Sequence, residues 1–273
     1  MPSDLWTPSA FDGLAFAGFR DLLDVFAQYR DWPALLDYET HWLTAVGVVT
    51  AKGLPLRLVA QQPKSRRAKP KERRALYDVS VFEGALPTRS RNWHDFFNVM
   101  MFAAFPLTKQ RLHARHRDIL ERNLPAELVR LPGARTEEQD CLTILDEGGV
   151  VLATAPSAHD AIHRLLENGQ HNELRELIDD GVVTPWLFGH AHLEHLAKHH
   201  AALRPPLPHA NTAALPQLPH GKAVLLELDA SAPRSTVDEA LARCVSAPEF
   251  CSARDRRRPV SLHDLYRDLQ RIG

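Results

Sequence analysis

The stretch PTRSRNWHDFFNVMMFAAFPLTKQRLHARH, residues 87–116, combines a strongly apolar helical pattern with an unusual density of polar side chains. The apolar residues predict a buried central helix and are Trp93, Phe96, Phe97, Met100, Met101, Phe102 and Phe105. The polar residues are Arg89, Asn92, His94, Asp95, Asn98, Lys109, His113 and His116. A core helix does not need so many polar side chains, so we expect a functional site. A buried helix with a few hydrogen-bonded polar groups is the alternative.

Pro106 divides this stretch into two helices. Proline lacks the backbone donor that a helix interior needs, and it disfavours helix at the preceding Phe105. A second helix is therefore predicted over residues 108–124. His94 and Asn98 are four residues apart and share a face of the first helix. Lys109, His113 and His116 likewise share a face of the second helix, which gives two neighbouring polar stripes.

The composition describes an ordinary globular chain. With 273 residues, 44% hydrophobic and 25% charged, it is long enough for one large domain, or for a domain with an appendage. The formal net charge of -1 lacks the basic excess of most nucleic-acid binders. No signal peptide and no run of 18 apolar residues is found, so we expect a cytoplasmic protein without a membrane partner. Cys141, Cys244 and Cys251 form no CxxC motif and are expected to be reduced structural thiols.

The remaining pattern predicts a predominantly α-helical α+β fold, a single domain with a small antiparallel β-hairpin sheet packed on helices. Two helices are expected within residues 10–50, and others over 158–166, 174–178 and 187–203. Residues 142–155, LTILDEGGVVLATA, are predicted as the hairpin, with its turn at Asp146-Glu147-Gly148-Gly149. Residues 56–62 are predicted as a strand, whereas 77–83 and 224–228 fit either a strand or a turn of helix.

The ends of the main domain are less strongly patterned. Five prolines within residues 204–219 predict an extended surface loop, and 262–272 a short terminal helix. We assign the main domain to residues 1–230, which carry the PTR/NWHDFFN, DEGG and GHAHLE motifs. Residues 231–273 are assigned to a C-terminal extension.

Three motifs in a fixed order carry a family resemblance. The chain resembles the bacterial family of domains of unknown function numbered 3025 in three motifs. These are PTR with NWHDFFN and FPLTK, then LDEGG, then GHAHLE. The matching residues are Arg89, Trp93, His94, Asp95, Asn98, Pro106, Lys109, His116, Asp146, Glu147, Gly189, His190 and Glu194. The resemblance implies a bacterial single-domain protein and brings no activity. His113 stands where the family usually has Asn, so it is a poor candidate for catalysis.

These residues include the ligand types that suit zinc, manganese or iron. If the three motifs converge, we expect a metal held by His94, His116, His190, Glu194 and Asp146, with Asp95 as a further carboxylate. His190 and Glu194 lie one helical turn apart, so Glu194 could orient an imidazole or complete the metal shell. His192, His195, His199 and His200 are interpreted instead as a solvated helix face.

Several named motifs are absent. HAHLEHLAKHH, residues 190–200, is neither HExxH nor HxxEH, and the chain has no GxSxG nucleophile motif. It also lacks GxGxxG and GxxxxGK[ST], so no nucleotide cofactor is expected.

Three functional hypotheses therefore stay open. The first is a metal-assisted hydrolase acting on a small anionic, for example phosphoester, substrate. Its catalytic residues would be His94, Asp95, Asn98, Arg89 and Lys109.

The second hypothesis, less favoured, is a nucleic-acid-associated binding module. It would use the basic loop residues Lys64, Arg66, Arg67, Lys69, Lys71, Arg73 and Arg74, with Arg111, Arg115 and Arg117. The third is a purely structural polar network around Arg89 and His94.

Overall fold

The computed structural model describes residues 5–61, 77–123, 135–203, 220–251, 259–261 and 265. Within them the fold is α+β and predominantly helical, as predicted. The α-helices are α1 (Arg20–Leu23), α2 (Leu35–Tyr38), α3 (Tyr77–Phe82), α4 (Trp93–Ala104), α5 (Pro106–Asn123), α6 (Glu137–Gly148), α7 (Pro156–Glu167), α8 (His171–Asp179), α9 (His190–Leu203) and α10 (Arg234–Ser246). The strands are β1 (Arg57–Ala60), β2 (Ala85–Thr88), β3 (Gly149–Thr154), β4 (Val183–Leu187), β5 (His220–Glu227) and β6 (Pro259–Ser261).

Helix α4 lies at the centre of the core. Within α4 every residue except His94 is buried, so the helix is surrounded by other parts of the protein on all sides. The Asn92 side chain caps its first turn by accepting a hydrogen bond from the Asp95 N–H at 3.1 Å. Burial of a Phe side chain such as Phe96 contributes roughly 2–3 kcal/mol. The break predicted at Pro106 is confirmed, because α4 ends at Ala104 and α5 begins at Pro106.

The N-terminal segment packs an aromatic layer against α4. The two helices predicted within residues 10–50 are present as two helical segments, and in each of them the backbone changes from one helix type to another. Leu14–Phe19 and Asp24–Phe26 are 3-10 turns on either side of α1, and Glu39–Thr44 is a π-helical continuation of α2. Trp42 lies 4.9 Å from both Phe26 and Phe96, measured between ring centroids, and donates its indole N–H to the carbonyl of Leu22.

The four-stranded sheet has the order β4-β3-β5-β6. β3 pairs antiparallel with β4 and parallel with β5, and β5 pairs antiparallel with β6. All six residues of β3 are buried, which explains its continuous apolar run. A second, two-stranded sheet joins β1 and β2 in parallel. The predicted strand near residues 56–62 is therefore confirmed as β1. Of the two ambiguous segments, residues 77–82 are helical and residues 224–227 belong to β5.

The hairpin predicted at residues 142–155 is wrong. Its first run belongs to α6, and only the second run, β3, is a strand. Thr136 and Gln139 form a capping box that starts α6 upstream of the β-rich pattern. Gly149 follows the helix, where a Cβ would lie 2.5 Å from the Leu145 carbonyl oxygen. Asp146 and Glu147 are therefore in the last turn of a helix, not in a β-turn.

Cys141 and Cys251 form a disulfide with their Cα atoms 5.5 Å apart, so the expectation of three reduced thiols is wrong for this pair. Cys244 is not part of the disulfide. The pairing joins residues 110 positions apart, and only the tertiary fold brings such residues together.

Part of the predicted C-terminal extension packs on the main body, since α10 lies against α5 and β6 extends the sheet. The boundary at residue 230 stays a prediction. The predicted 204–219 loop, the 262–272 helix and the basic loop of residues 64–74 lie outside the described residues. Across the described part of the chain, we find no helix with both the length and the apolar character needed to cross a membrane.

Asp238 of α10 caps the start of α5. Its carboxylate accepts the N–H groups of Leu107 and Thr108 at 2.9 and 2.8 Å, two donors that the helix itself leaves unsatisfied. We predict that Asp238→Ala lowers the free energy of unfolding by about 1–3 kcal/mol, measured by urea denaturation. Glu239→Ala is the matched control. Glu239 is the exposed neighbour of Asp238 on α10, so its substitution should change the free energy of unfolding by less than about 0.5 kcal/mol. Equal effects of the two substitutions would contradict the capping role.

Candidate functional site

The ends of three helices bring two histidines and a glutamate together. His94 is in the first turn of α4, Glu147 in the last turn of α6, and His190 begins α9. Gly189 allows this approach, because a Cβ there would lie 2.5 Å from the Gly148 Cα and 2.6 Å from the Glu147 carbonyl oxygen. Any larger residue would push His190 away from Glu147.

The three side chains point at one another. The Nε2 atoms of His94 and His190 are 3.2 Å apart, and Glu147 Oε2 lies 3.4 Å from His190 Nε2 and 3.9 Å from His94 Nε2. Among the described residues, these three form the group of His, Cys, Asp and Glu side chains that could hold a metal ion, with ligand atoms all within 4.8 Å. His190 is buried, whereas His94 and Glu147 are partly exposed, so the group is open to solvent on one side.

Each imidazole is held by a hydrogen bond at its other nitrogen. His190 Nδ1 lies 2.8 Å from the backbone carbonyl of Asp146, which can only accept, so Nδ1 carries the hydrogen. His94 Nδ1 lies 3.0 Å from Glu194 Oε2 on the next turn of α9. When both rings are neutral, these hydrogen bonds leave the two Nε2 lone pairs directed into the cluster.

The electrostatic environments of the two histidines differ. The hydrogen bond to Glu194 raises the pKa of His94, despite its partial burial. Burial lowers the pKa of His190 to about 3, so its ring is neutral at physiological pH. Burial disfavours the Glu194 carboxylate, but hydrogen bonds from His94 and Lys198 outweigh that effect and hold the Glu194 pKa at about 2. Burial raises the pKa of Glu147.

A buried ion pair lies behind the cluster. Lys109 of α5 is completely buried and donates to Asp146 Oδ1 at 2.6 Å and to Asn98 Oδ1 at 2.8 Å. Its ammonium also lies 4.5 Å from the centroid of the Phe102 ring. Asn98 in turn donates to the Tyr77 hydroxyl at 2.7 Å. Burial opposes ionisation of Asp146, but the neighbouring Lys109 outweighs it and lowers the Asp146 pKa well below its usual range.

These contacts change the roles that the sequence suggested for three residues. Lys109 and Asn98 have their polar groups occupied inside the protein, so the geometry makes them positioning residues rather than groups that touch a substrate. The Asp146 carboxylate is likewise engaged by Lys109, and its backbone oxygen is what contacts His190.

Arg89 and Asp95 form a second ion pair beside the cluster. The Arg89 guanidinium donates to both Asp95 oxygens at 3.0 and 2.7 Å, and the Arg89 backbone N–H donates to Asp95 Oδ2. The Asp95 side chain is nearly buried, whereas half of the Arg89 side chain is exposed. Asp95 therefore orients Arg89 at the surface next to His94.

His116 does not join the cluster. It is buried on α5 with its ring centroid 6.5 Å from that of His113, and burial lowers its pKa. His113 Nδ1 lies 2.9 Å from Asp78, and its ring stacks on Phe102. These two histidines form a separate buried group behind Lys109.

Sequence reasoning selected Asp146 as the ligand and passed over its neighbour Glu147. Both stand in the same motif, and the predicted β-turn gave no basis for choosing between them. On a helix, successive side chains point about 100° apart, so only one of the two can face the histidines. The buried Lys109 is the available signal, because its charge requires a partner and Asp146 supplies it.

The histidines of α9 divide between interior and surface. His195 is exposed, as expected of a solvated face. His192 is 5% exposed, so that interpretation is wrong for it. Its Nε2 packs against Gly148 and Gly221, where added Cβ atoms would lie 3.0 and 3.2 Å away. The side chains of His199 and His200 lie outside the described residues.

Two of the arginines proposed to face phosphate, Arg115 and Arg117, are engaged within the protein. Arg115 bonds to Glu138 and to the carbonyls of Val245 and Ala247 at the end of α10. Arg117 pairs with Glu121 at 2.5 Å. Arg115 therefore holds α5 to α6 and to the end of α10, whereas the pair between Arg117 and Glu121 lies within α5.

We predict that Lys109→Met lowers the free energy of unfolding by about 3–5 kcal/mol, because it leaves the Asp146 carboxylate buried without its cation. Urea denaturation measures this loss. The control is Lys52→Met, which removes an exposed ion pair with Glu83 and should cost no more than about 1 kcal/mol. A loss from Lys109→Met as small as that of the control would contradict the positioning role.

Comparison with known proteins identifies one family. The model of a family described as protein of unknown function, DUF3025, matches residues 59–264. The searches of curated proteins and of solved structures give no match.

Proposed function

The chain belongs to the DUF3025 family, and we propose, from the site itself, that it is a metal-assisted hydrolase acting on an anionic substrate such as a phosphoester. The observation that carries the proposal is the close approach of the Nε2 atoms of His94 and His190, 3.2 Å apart beside the Glu147 carboxylate. In the neutral form of both rings, two lone pairs oppose each other there. Two lone pairs at this distance repel unless a proton or a cation lies between them. Protonation of His94 is the metal-free alternative.

The spacing supports a cation. Two nitrogens bound to one tetrahedral metal at about 2.0–2.1 Å are separated by about 3.3 Å, close to the separation of the two histidines. Two histidines and a glutamate are the protein ligands of catalytic zinc sites that keep a position open for water. Two histidines and one carboxylate also suit ferrous iron. Zinc, manganese and iron are therefore the candidates.

The surrounding residues fit the supporting roles of such a site. Glu194 and the Asp146 carbonyl would fix the ring orientation of the two histidine ligands and raise their basicity. A bound cation would lower the pKa of a water molecule in the open position and so supply a nucleophile. Half-exposed Arg89 supports an anionic substrate through the guanidinium N–H groups that Asp95 does not occupy, because such groups donate strong hydrogen bonds to phosphate oxygens.

The first experiment is elemental mass spectrometry on untagged protein purified without an immobilised-metal column. We predict about one metal ion per chain in the wild type and its loss from His94→Ala, Glu147→Gln and His190→Ala, with circular dichroism confirming their folding. His195→Ala, on the exposed face of α9, is the matched control and should keep the metal. His116→Ala should also keep it. Folded wild-type protein without metal, even after dialysis against each candidate ion, would refute the metal site.

The outer carboxylate gives a graded test. Glu194→Gln retains the shape of the side chain but removes the charge that faces His94 Nδ1, so we expect metal affinity to fall by about 10–100-fold. Competition with a chromogenic chelator measures the change. Asp160→Asn, an exposed carboxylate on α7, is the control. Unchanged affinity in Glu194→Gln would exclude the orienting role.

Activity separates the remaining functions. A hydrolase should cleave members of a phosphoester and amide panel with the loaded wild type and not with Glu147→Gln. A nucleic-acid module would instead bind polynucleotide with an affinity that falls steeply with salt. A purely structural network would show neither, and His94→Ala would mainly lower the melting temperature.

A further inference from the structure

A buried lysine lies against the disulfide. Lys222 of β5 is 5% exposed, and its ammonium donates to Cys141 Sγ at 2.8 Å. The ammonium also lies 5.1 Å from the centroid of the Phe250 ring, next to Cys251 in the sequence. The cation is therefore held at one particular sulfur of the pair by the surrounding fold.

This placement stabilises the reduced form of Cys141. A disulfide sulfur is a neutral and weak acceptor, whereas a thiolate carries a full negative charge that an ammonium stabilises strongly in a buried site. Cys141 is thus the better leaving group of the two, because a thiol with a lower pKa leaves a disulfide faster. The same contact favours reduction of the disulfide at equilibrium.

The two sulfurs also differ in access. Cys141 is completely buried, whereas Cys251 is 9% exposed and lies in the wall of a surface groove. The groove runs between α5, the start of α6 and the end of α10, with Arg111, Arg122 and Glu249 among its lining residues. A small thiol can approach Cys251 from this groove.

We infer that Cys141 and Cys251 form a reversible thiol–disulfide pair that exchanges with low-molecular-weight thiols, and that Cys251 is the sulfur attacked. In the first step a thiolate bonds to Cys251 Sγ, the Cys141–Cys251 bond breaks, and Cys141 leaves as a thiolate beside Lys222. In the second step another thiolate attacks the small-molecule sulfur of the mixed disulfide and releases the Cys251 thiolate. The two small thiols are oxidised to their disulfide as the protein disulfide is reduced to a dithiol, and oxidation is the reverse.

The test uses the full chain with Cys244→Ser, so that only the pair can react. The protein is equilibrated under native conditions with glutathione and its disulfide at varied ratios, quenched with an alkylating agent and analysed by mass spectrometry. We expect a reversible titration in the folded protein. In the added Cys141→Ser variant we expect glutathione on Cys251, and in Cys251→Ser we expect Cys141 to stay unmodified.

Lys222 provides the specific readout. Lys222→Met should slow reduction by about tenfold and shift the midpoint to a more reducing ratio. Lys222→Arg keeps the positive charge and should therefore lie closer to wild type than Lys222→Met does. Reduction that occurs only after denaturation would overturn the proposal, as would a rate and midpoint unchanged in Lys222→Met. Glutathione on Cys141 instead of Cys251 would overturn the direction of attack. The native titration of the Cys244→Ser protein needs no substitution at Lys222, so it decides reversibility even if Lys222→Met fails to fold.

Discussion

The buried ion pair between Lys109 and Asp146 is the interaction on which the rest of the site depends. A fully buried ammonium is stable only with its partners in place, and those partners come from two other helices, α4 and α6. Asn98 belongs to α4, Asp146 to α6, and the Asp146 carbonyl in turn holds His190 at the start of α9. One desolvated charge thus fixes the relative positions of the helix ends that carry the cluster. The ion pair therefore serves to select one arrangement of the helices more than to increase the stability of the fold.

The cluster combines a rigid interior side with an accessible outer side. His190 is buried and neutral, and its ring cannot turn without losing the bond to the Asp146 carbonyl. His94 faces Glu194 and is partly exposed, and Glu147 is the most exposed of the three cluster residues. This division is what a site needs if it is to hold a ligand firmly and still admit a reactant from solvent. Aromatic packing around α4 supplies the stiffness, because the helix that carries His94 is otherwise buried on every side.

Helix α6 joins the two chemically distinct features of the molecule. Cys141 lies in its second turn, and Asp146 and Glu147 lie in its last turn. Lys222 on β5 contacts Cys141, and the adjacent Gly221 packs against the Gly148 carbonyl oxygen, where a Cβ would lie 3.1 Å away. The same strand therefore supports the helix at both the disulfide and the end that carries the cluster. Small residues are required at the second contact, since the two backbones approach more closely than side chains would allow.

The sequence by itself determined the helical class and the break at Pro106, and it selected His94, His190 and Glu194 as candidate site residues. These depend on local periodicity, on proline's missing donor and on residue chemistry, all of which can be read from neighbouring positions. The tertiary structure alone decided that residues 142–148 are helical, that Glu147 faces the histidines, and that Cys141 pairs with Cys251. A short apolar run fits strand and helix equally well until its packing partners are known. Adjacent side chains on a helix diverge by about 100°, and contacts across a hundred residues exist only once the chain has folded.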